Sequence, residues 1–237
     1  MKKTGIHFLP RLCLAVACAT AFGSVAASFV EPFAGGQLSA PGWSQGIGTD
    51  ASVYVPPAPD GTTGIALSEG EWSYNTSIHF GTGKILSAWI NPGPSPNPNS
   101  SAQGGRLYLG FDADATGAYS FVAASDEGLL GFQDNTGYTT PAFASSTGVV
   151  YGDQWYLLTI SLGGGGQSAT ARLFDADGTT LLSSLAESGL TRNATGLALR
   201  GTGAAAITSI SVVPEPATIA LMLAGLVAVG FQARRRG

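Results

Sequence analysis

The sequence predicts an all-β domain, an antiparallel sandwich, flanked by two terminal segments of different character. Three observations carry this. The middle of the chain shows no helical periodicity of useful length. Apolar residues alternate instead with period two, as in Tyr156, Leu158, Ile160 and Leu162, or Leu107, Leu109 and Phe111, or Ile210 and Val212. That is the pattern of a strand with one buried face. The runs are short and separated by Gly, Pro, Asn and Asp, in a chain where Gly accounts for 34 of 237 residues.

Strands are expected at 64–67, 72–80, 84–91, 105–111, 118–123, 128–133, 155–162, 168–175, 180–185, 196–200 and 206–213. That many strands in one domain need two packed sheets or a barrel. Residues 28–213 are long enough for one sizeable core. Charged residues make up only 11% of the chain, but aliphatic and aromatic residues recur throughout, which argues for packing rather than disorder. The run 92–99 holds four prolines; it cannot be a central strand and is expected as an exposed loop.

Charge is divided unevenly. Six basic residues lie in the terminal segments; the middle has Lys84, Arg106, Arg172, Arg192 and Arg200 against fourteen acidic residues. Such a surface repels phosphate backbones and excludes nucleic acid as a partner. Cys13 and Cys18 both lie in the N-terminal segment, and His79 is the single histidine of the middle. Disulfides, thiol chemistry and a His/Cys zinc site are therefore excluded for the middle domain.

Residues 1–27 read as a signal peptide. Lys2, Lys3 and Arg11 precede the apolar run 12–22, and small residues at 24–27 offer signal peptidase a site after Ala26 or Ala27. At the other end, 214–237 has three parts in order: Pro214, Glu215, Pro216; an uncharged apolar run at 218–231; and Arg234, Arg235, Arg236. The prolines stop the preceding strand and keep the tripeptide extended. The apolar run is expected as a single transmembrane helix. At about 1.5 Å per residue it reaches roughly 21 Å, so flanking residues and local thinning complete the span. The arginines stay on the cytoplasmic side, which places the domain outside.

This tripartite tail resembles the PEP-CTERM sorting signal of Gram-negative bacteria. The resemblance implies that a membrane enzyme, an exosortase, recognises Pro214, Glu215 and Pro216. The protein would pass through an inner-membrane intermediate to the cell surface or matrix. The family is associated with exopolysaccharide and biofilm growth.

The middle is similar to the concanavalin-like, or laminin-G-like, jelly roll. Residues 104–111 look like a central strand of that fold, Trp155, Tyr156, Leu157 and Leu158 like its "W-x-x-L" strand, and 196–201 with 207–213 like its closing strands. Many such domains bind polysaccharide, some hydrolyse it and some are spacers.

Candidate chemistry is sparse. The hydrolase branch of this jelly roll carries Glu-x-Asp-x-x-Glu, which is absent; Glu69 and Glu71 form the nearest acidic pair and read as a solvated turn. His79 has no Gly-x-Ser-x-Gly elbow, and its alternation with Ile78 and Phe80 places it facing solvent or a groove. Asp112 with Asp114, and Asp175 with Asp177, sit in echoing Phe-Asp-Ala-Asp segments that superficially resemble the start of a calcium loop. The bidentate acid at the twelfth position is missing, so hairpin turns are the first expectation and structural calcium the second. No other cofactor is expected. Trp43, Tyr54, Trp72, Tyr119 and Tyr138 are the aromatics expected to be partly exposed; Trp89 and Trp155 are expected in the core. Asp134, Asn135 and Tyr138, with Trp72, are the candidate glycan contacts, because an aromatic face beside polar groups suits a pyranose.

The leading expectation is an exported, non-catalytic surface or matrix protein in contact with exopolysaccharide. The alternatives are a glycan-active enzyme on the same fold and a purely structural, self-associating matrix protein.

Overall fold

The computed structural model describes residues 29–44, 55–67, 70, 72–93, 105–148, 150, 152 and 154–215. The signal peptide, the 218–231 span, Tyr54, Glu69, Glu71, most of the proline-rich run, Pro216 and the three terminal arginines lie outside the described residues.

The described residues form fourteen strands: β1 Phe29–Val30, β2 Trp43–Ser44, β3 Ile65–Ala66, β4 Trp72–Asn75, β5 Lys84–Asn91, β6 Arg106–Asp114, β7 Gly117–Ala124, β8 Leu129–Thr136, β9 Ser145–Gly148, β10 Tyr156–Leu162, β11 Ser168–Phe174, β12 Leu181–Ser188, β13 Gly196–Thr202 and β14 Ala206–Pro214. The one helical element among the described residues is a 3₁₀ turn, Ala34–Gly36. Two seven-stranded antiparallel sheets face each other. One runs β1-β14-β5-β10-β11-β12 with β3 also on β14; the other runs β2-β4-β13-β6-β7-β8-β9. This is the jelly-roll sandwich.

Period two builds the core. Leu86, Ala88 and Ile90 of β5 and Tyr156, Leu158, Ile160 and Leu162 of β10 point inward from the first sheet. They meet Leu107, Leu109 and Phe111 of β6, Phe121 of β7 and Leu197 and Leu199 of β13. Phe111 stacks on Phe121 with ring centres 5.8 Å apart, and Phe80 meets Phe111 edge-on at 6.3 Å.

Several sequence expectations are corrected. The expected strand 72–80 ends at Asn75, because the Asn75 side chain accepts a hydrogen bond from Ser77 N at 2.8 Å and the chain turns. Ile78 and Phe80 still enter the core, but from a connection. Tyr119 is buried at 5% exposure, packed between Phe111 and Phe132. Trp89 and Trp155 are buried, but on the outer face of the first sheet. Ala58 and Val55 cover them there, and Trp155 Nε1 donates to Pro56 O at 3.2 Å.

The sandwich is closed along one side by side chains. Ser183 of β12 donates to Thr147 of β9 at 3.3 Å, and Ser145 of β9 donates to Glu187 of β12.

Candidate functional site

One end of the sandwich holds a cleft of about 350 Å³ that spans both sheets. Among the described residues, its one lining carboxyl is Asp112. The strand β6 turns Leu107, Leu109 and Phe111 inward, then breaks register with β7 between Phe111 and Asp114. Asp112 sits in this irregularity with φ 49°, a left-handed conformation uncommon outside glycine. The Asp112 side chain therefore follows Phe111 into a buried position, 3% exposed. Burial pushes its carboxyl up to about 6, against the pull of the nearby Arg192 guanidinium, and no hydrogen bond from the described residues relieves it.

Arg192 comes from the β12–β13 connection and forms the second charged wall. Its guanidinium lies over the Tyr119 ring, 5.6 Å from the centroid, and donates to Thr136 Oγ1 at 2.7 Å and Thr116 Oγ1 at 3.3 Å. Asp134 and Asp114 stand 3.6 and 3.8 Å away. Its Nε is buried without a hydrogen-bond partner. Phe80 and Leu162 give the cleft apolar wall, and Thr82, Asn193 and Thr195 give it hydroxyls and an amide. His79 is exposed at the rim, its Nδ1 2.9 Å from Thr195 Oγ1. A recessed carboxylate accepts two hydroxyls, a guanidinium donates, and an apolar wall takes C–H faces; together these suit a saccharide ring.

The predicted glycan contacts fall elsewhere. Trp72 and Tyr138 do come together, with ring centres 5.3 Å apart, on the outer face of the second sheet. Their faces are taken: Tyr138 stacks on Tyr74 at 5.3 Å, Trp72 meets Tyr108 edge-on at 5.4 Å, and Arg200 lies over both Tyr108 and Trp72. Tyr138, at φ 56°, donates its hydroxyl to Asp114 O at 2.6 Å, and burial pushes the phenol above its ordinary value. Asn135 is fully buried and donates to Gln133 Oε1 at 3.0 Å and Thr139 O at 2.8 Å. Asp134 projects from the opposite face of β8, toward Arg192. The segment 139–144 straps this face. Gln133 Nε2 donates to Pro141 O at 2.5 Å, and Phe143 lies so close over Gly131 that a Cβ there would meet the ring at 2.3 Å. Trp72 and Tyr138 thus pack on this outer face, where Trp72 Nε1 and Asn135 Oδ1 are buried with no hydrogen-bond partner among the described residues. Tyr138→Phe should lower stability by about 1 kcal/mol, measured by urea unfolding, and leave glycan retention unchanged.

The two aspartate pairs lie at opposite ends of the sandwich, Asp112 and Asp114 by the β6–β7 turn and Asp175 and Asp177 in the β11–β12 turn. Asp114 Oδ1 accepts Thr116 N at 2.7 Å and Thr116 Oγ1 at 2.6 Å. Asp177 accepts Thr180 Oγ1 at 2.5 Å, Thr180 N at 2.7 Å and Thr179 N at 2.8 Å, which hold its carboxyl down to about 2. Asp175 accepts Ala176 N at 2.7 Å. These are turn bonds, and among the described residues no group of three or more His, Cys, Asp or Glu side chains converges as a metal site would require.

The C-terminal motif begins inside the fold. Pro214 is the last residue of β14 and pairs with Lys84; Glu215 N donates to Gly83 O at 2.8 Å. A family model described as the PEP-CTERM protein-sorting motif matches residues 212–236. The chain carries a PEP-CTERM sorting motif. The motif implies export through the membrane, processing by an exosortase, and a cell-surface or extracellular destination. Solved structures share the fold of the domain that the PEP-CTERM motif follows. The VIP36 exoplasmic/lumenal domain in its Ca2+/Man2-bound form is 13% identical, with a TM-score of 0.53 over 80% of this chain and 88% of that one. The carbohydrate-binding module CBM66 from Bacillus subtilis is 14% identical, with a TM-score of 0.45 over 72% of this chain and 94% of that one. No curated protein matches the chain in sequence.

The cleft and the PEP-CTERM motif share one end of the sandwich. Gly81 and Thr82 line the cleft, while Gly83 and Lys84 hold Glu215 and Pro214. The first strand joins them there, with Phe29 paired to Val212. Sequence reasoning did not single out Arg192, Asn193 or Thr195 as a site; Asn193-Ala194-Thr195 matches a glycosylation sequon, which means little in a bacterium. The available signal was Asp112 itself, an acid set directly against the alternating run of β6.

Proposed function

We propose that this protein is an exported, non-catalytic glycan-binding protein, sorted by an exosortase after signal peptidase removes residues 1–27. In this reading residues 28–213 form the ectodomain, its ligand is the exopolysaccharide of the Gram-negative biofilm in which it is made, and the cleft is the binding site. The observation that carries it is Asp112, a recessed residue, 3% exposed, whose carboxyl lines a saccharide-sized cleft together with the Arg192 guanidinium. A few polar groups set into a cleft with apolar wall are the usual make-up of a small-ligand site. The fold is shared with the VIP36 exoplasmic/lumenal domain, solved in a Ca2+/Man2-bound form.

Two further features support binding over the alternatives. Among the described residues the cleft is lined by one carboxyl, whereas glycoside hydrolysis works with two. The sheet edges are unsuited to self-association: β1 and β2 are two residues long, and β9 and β12 meet through their side chains. Because Asp112, Asp114 and Asp134 together outnumber Arg192, the favoured ligand is neutral or amino-bearing rather than acidic.

The test is retention of the exported protein on the exopolysaccharide of its own cells, with an unrelated acidic, cysteine-free domain as control. Saturable retention is expected, weakened about tenfold or more by Asp112→Ala or Arg192→Ala. Retention no greater than the control's would sink this reading.

A further inference from the structure

The motif that the membrane enzyme must read is not a free tail. Its first residue closes the β14–β5 ladder against Lys84, and its second is bonded through Glu215 N to Gly83 O at 2.8 Å. Proline has no N–H, so it can end a ladder but not continue one; Glu215 supplies the final bond in its place. The strand leading into the motif is flanked on both sides. Ser211, Val212 and Val213 pair with Ser87, Leu86 and Ile85 of β5, and Ser211 and Val212 pair with Val30 and Phe29 of β1. The holding turn is itself tied down: Lys84 N donates to Gly81 O at 3.2 Å, and Lys84 Nζ donates to His79 O at 2.7 Å.

An enzyme that recognises an extended tripeptide needs access to its backbone, as strand-pairing recognition generally does. Here the backbone of Pro214 and Glu215 is already paired. We infer that Gly83 and Lys84 hold the sorting motif against the domain, so that exosortase processing starts from a state in which the end of β14 has peeled from β5. Strand ends open at small free energy, so the step slows processing without forbidding it. The order of events follows. A folded ectodomain is processed at a rate set partly by its own last ladder rungs, and Gly83 and Lys84 act as positioning residues for a reaction in which they take no chemical part. The inference rests on the sorting reading of residues 212–236.

The experiment is a pulse-chase of the full-length precursor in its own cells, following conversion to the processed form. Inserting six Gly/Ser residues between Val213 and Pro214 lifts the motif off Gly83 and Lys84. Processing should then run about tenfold faster, the scale of freeing one or two ladder bonds. An unchanged rate overturns the inference. Conversely, Ile85→Cys with Val213→Cys places two cysteines at directly paired positions, at the Cα spacing a disulfide needs. In isolated membranes the cross-linked precursor should be processed more slowly, with the rate restored by reductant; processing at the wild-type rate while cross-linked also overturns it. A third variant, with Pro214, Glu215 and Pro216 all changed to Ala, separates the two ideas. If it is processed like wild type, the sorting reading falls. If it is unprocessed while the linker insertion changes nothing, only the holding role falls.

Discussion

Asp112→Asn is expected to raise the unfolding free energy at pH 7 by roughly 1–3 kcal/mol while weakening retention on glycan. The folded carboxyl titrates near 6 rather than at its ordinary 3.8, because burial penalises the charge more than Arg192 favours it. Two units correspond to about 3 kcal/mol at most. The sign follows from proton binding. Between about pH 4 and pH 6 the folded chain holds a proton that the unfolded chain has released, so wild-type stability falls as pH rises through that window and is level above it. Asparagine has no proton to lose. The two curves should therefore meet below pH 4, diverge between pH 4 and 6, and run parallel at neutral pH. Urea unfolding at a series of pH values reads this directly. Curves that stay parallel from pH 4 to 8 would mean that the Asp112 charge does not burden the fold. A substitution that stabilises the protein and weakens its retention is what a functional carboxylate in a recessed site should give.

Glu31→Gln should act in the opposite direction, with a loss of about 3 kcal/mol. Glu31 is 2% exposed, and donors surround its carboxylate. Oε1 accepts Ser39 N at 2.7 Å, Ser39 Oγ at 3.1 Å, Ala40 N at 3.1 Å and Phe33 N at 3.2 Å, while Oε2 accepts Trp43 Nε1 at 2.7 Å. Its own N donates to Ile210 O at 2.9 Å, which ties the whole group to β14. An amide must turn its NH2 toward one of these donor sets, leaving buried N–H groups unpaired and two donors opposed. The denaturant midpoint should fall at constant slope, and Trp43 fluorescence should report the loosened 33–43 segment. A change below about 1 kcal/mol would show that the carboxylate is not what fastens this segment.

The strands legible in sequence are those whose side chains alternate over five or more residues, because one buried face writes period two into the chain. The strands that escaped lack that signature for physical reasons. Phe29–Val30 and Trp43–Ser44 are too short to show a period, and Ser145–Gly148 is a polar edge strand whose side chains meet β12 rather than a core. The strand drawn to residue 80 was a false continuation: Ile78 and Phe80 alternate like a strand but enter the core from a turn fixed by Asn75. The site was less legible than the fold. Asp134, Asn135 and Tyr138 look like one polar-aromatic loop, yet β8 runs on to Thr136 and sends Asp134 and Asn135 to opposite faces. The cleft draws Phe80, Asp112, Leu162 with Gly165, and Arg192 from four separate segments, and only the folded topology brings them together. The sorting motif is the contrary case, legible in full because its order along the chain is its signal.

The first strand enters the sandwich and the last strand leaves it at the same end, with Phe29 beside Val212 and Glu215 beside Gly83. A domain held there is oriented. Its outward pole is the opposite end, where the β11–β12 turn with Asp175 and Asp177 and the 203–205 turn lie. The Asp112 cleft faces back toward whatever does the holding. On the proposed reading, an attached protein would meet the sugars nearest its own point of fixture, whereas a detached one would present the same cleft to polymer arriving from any direction.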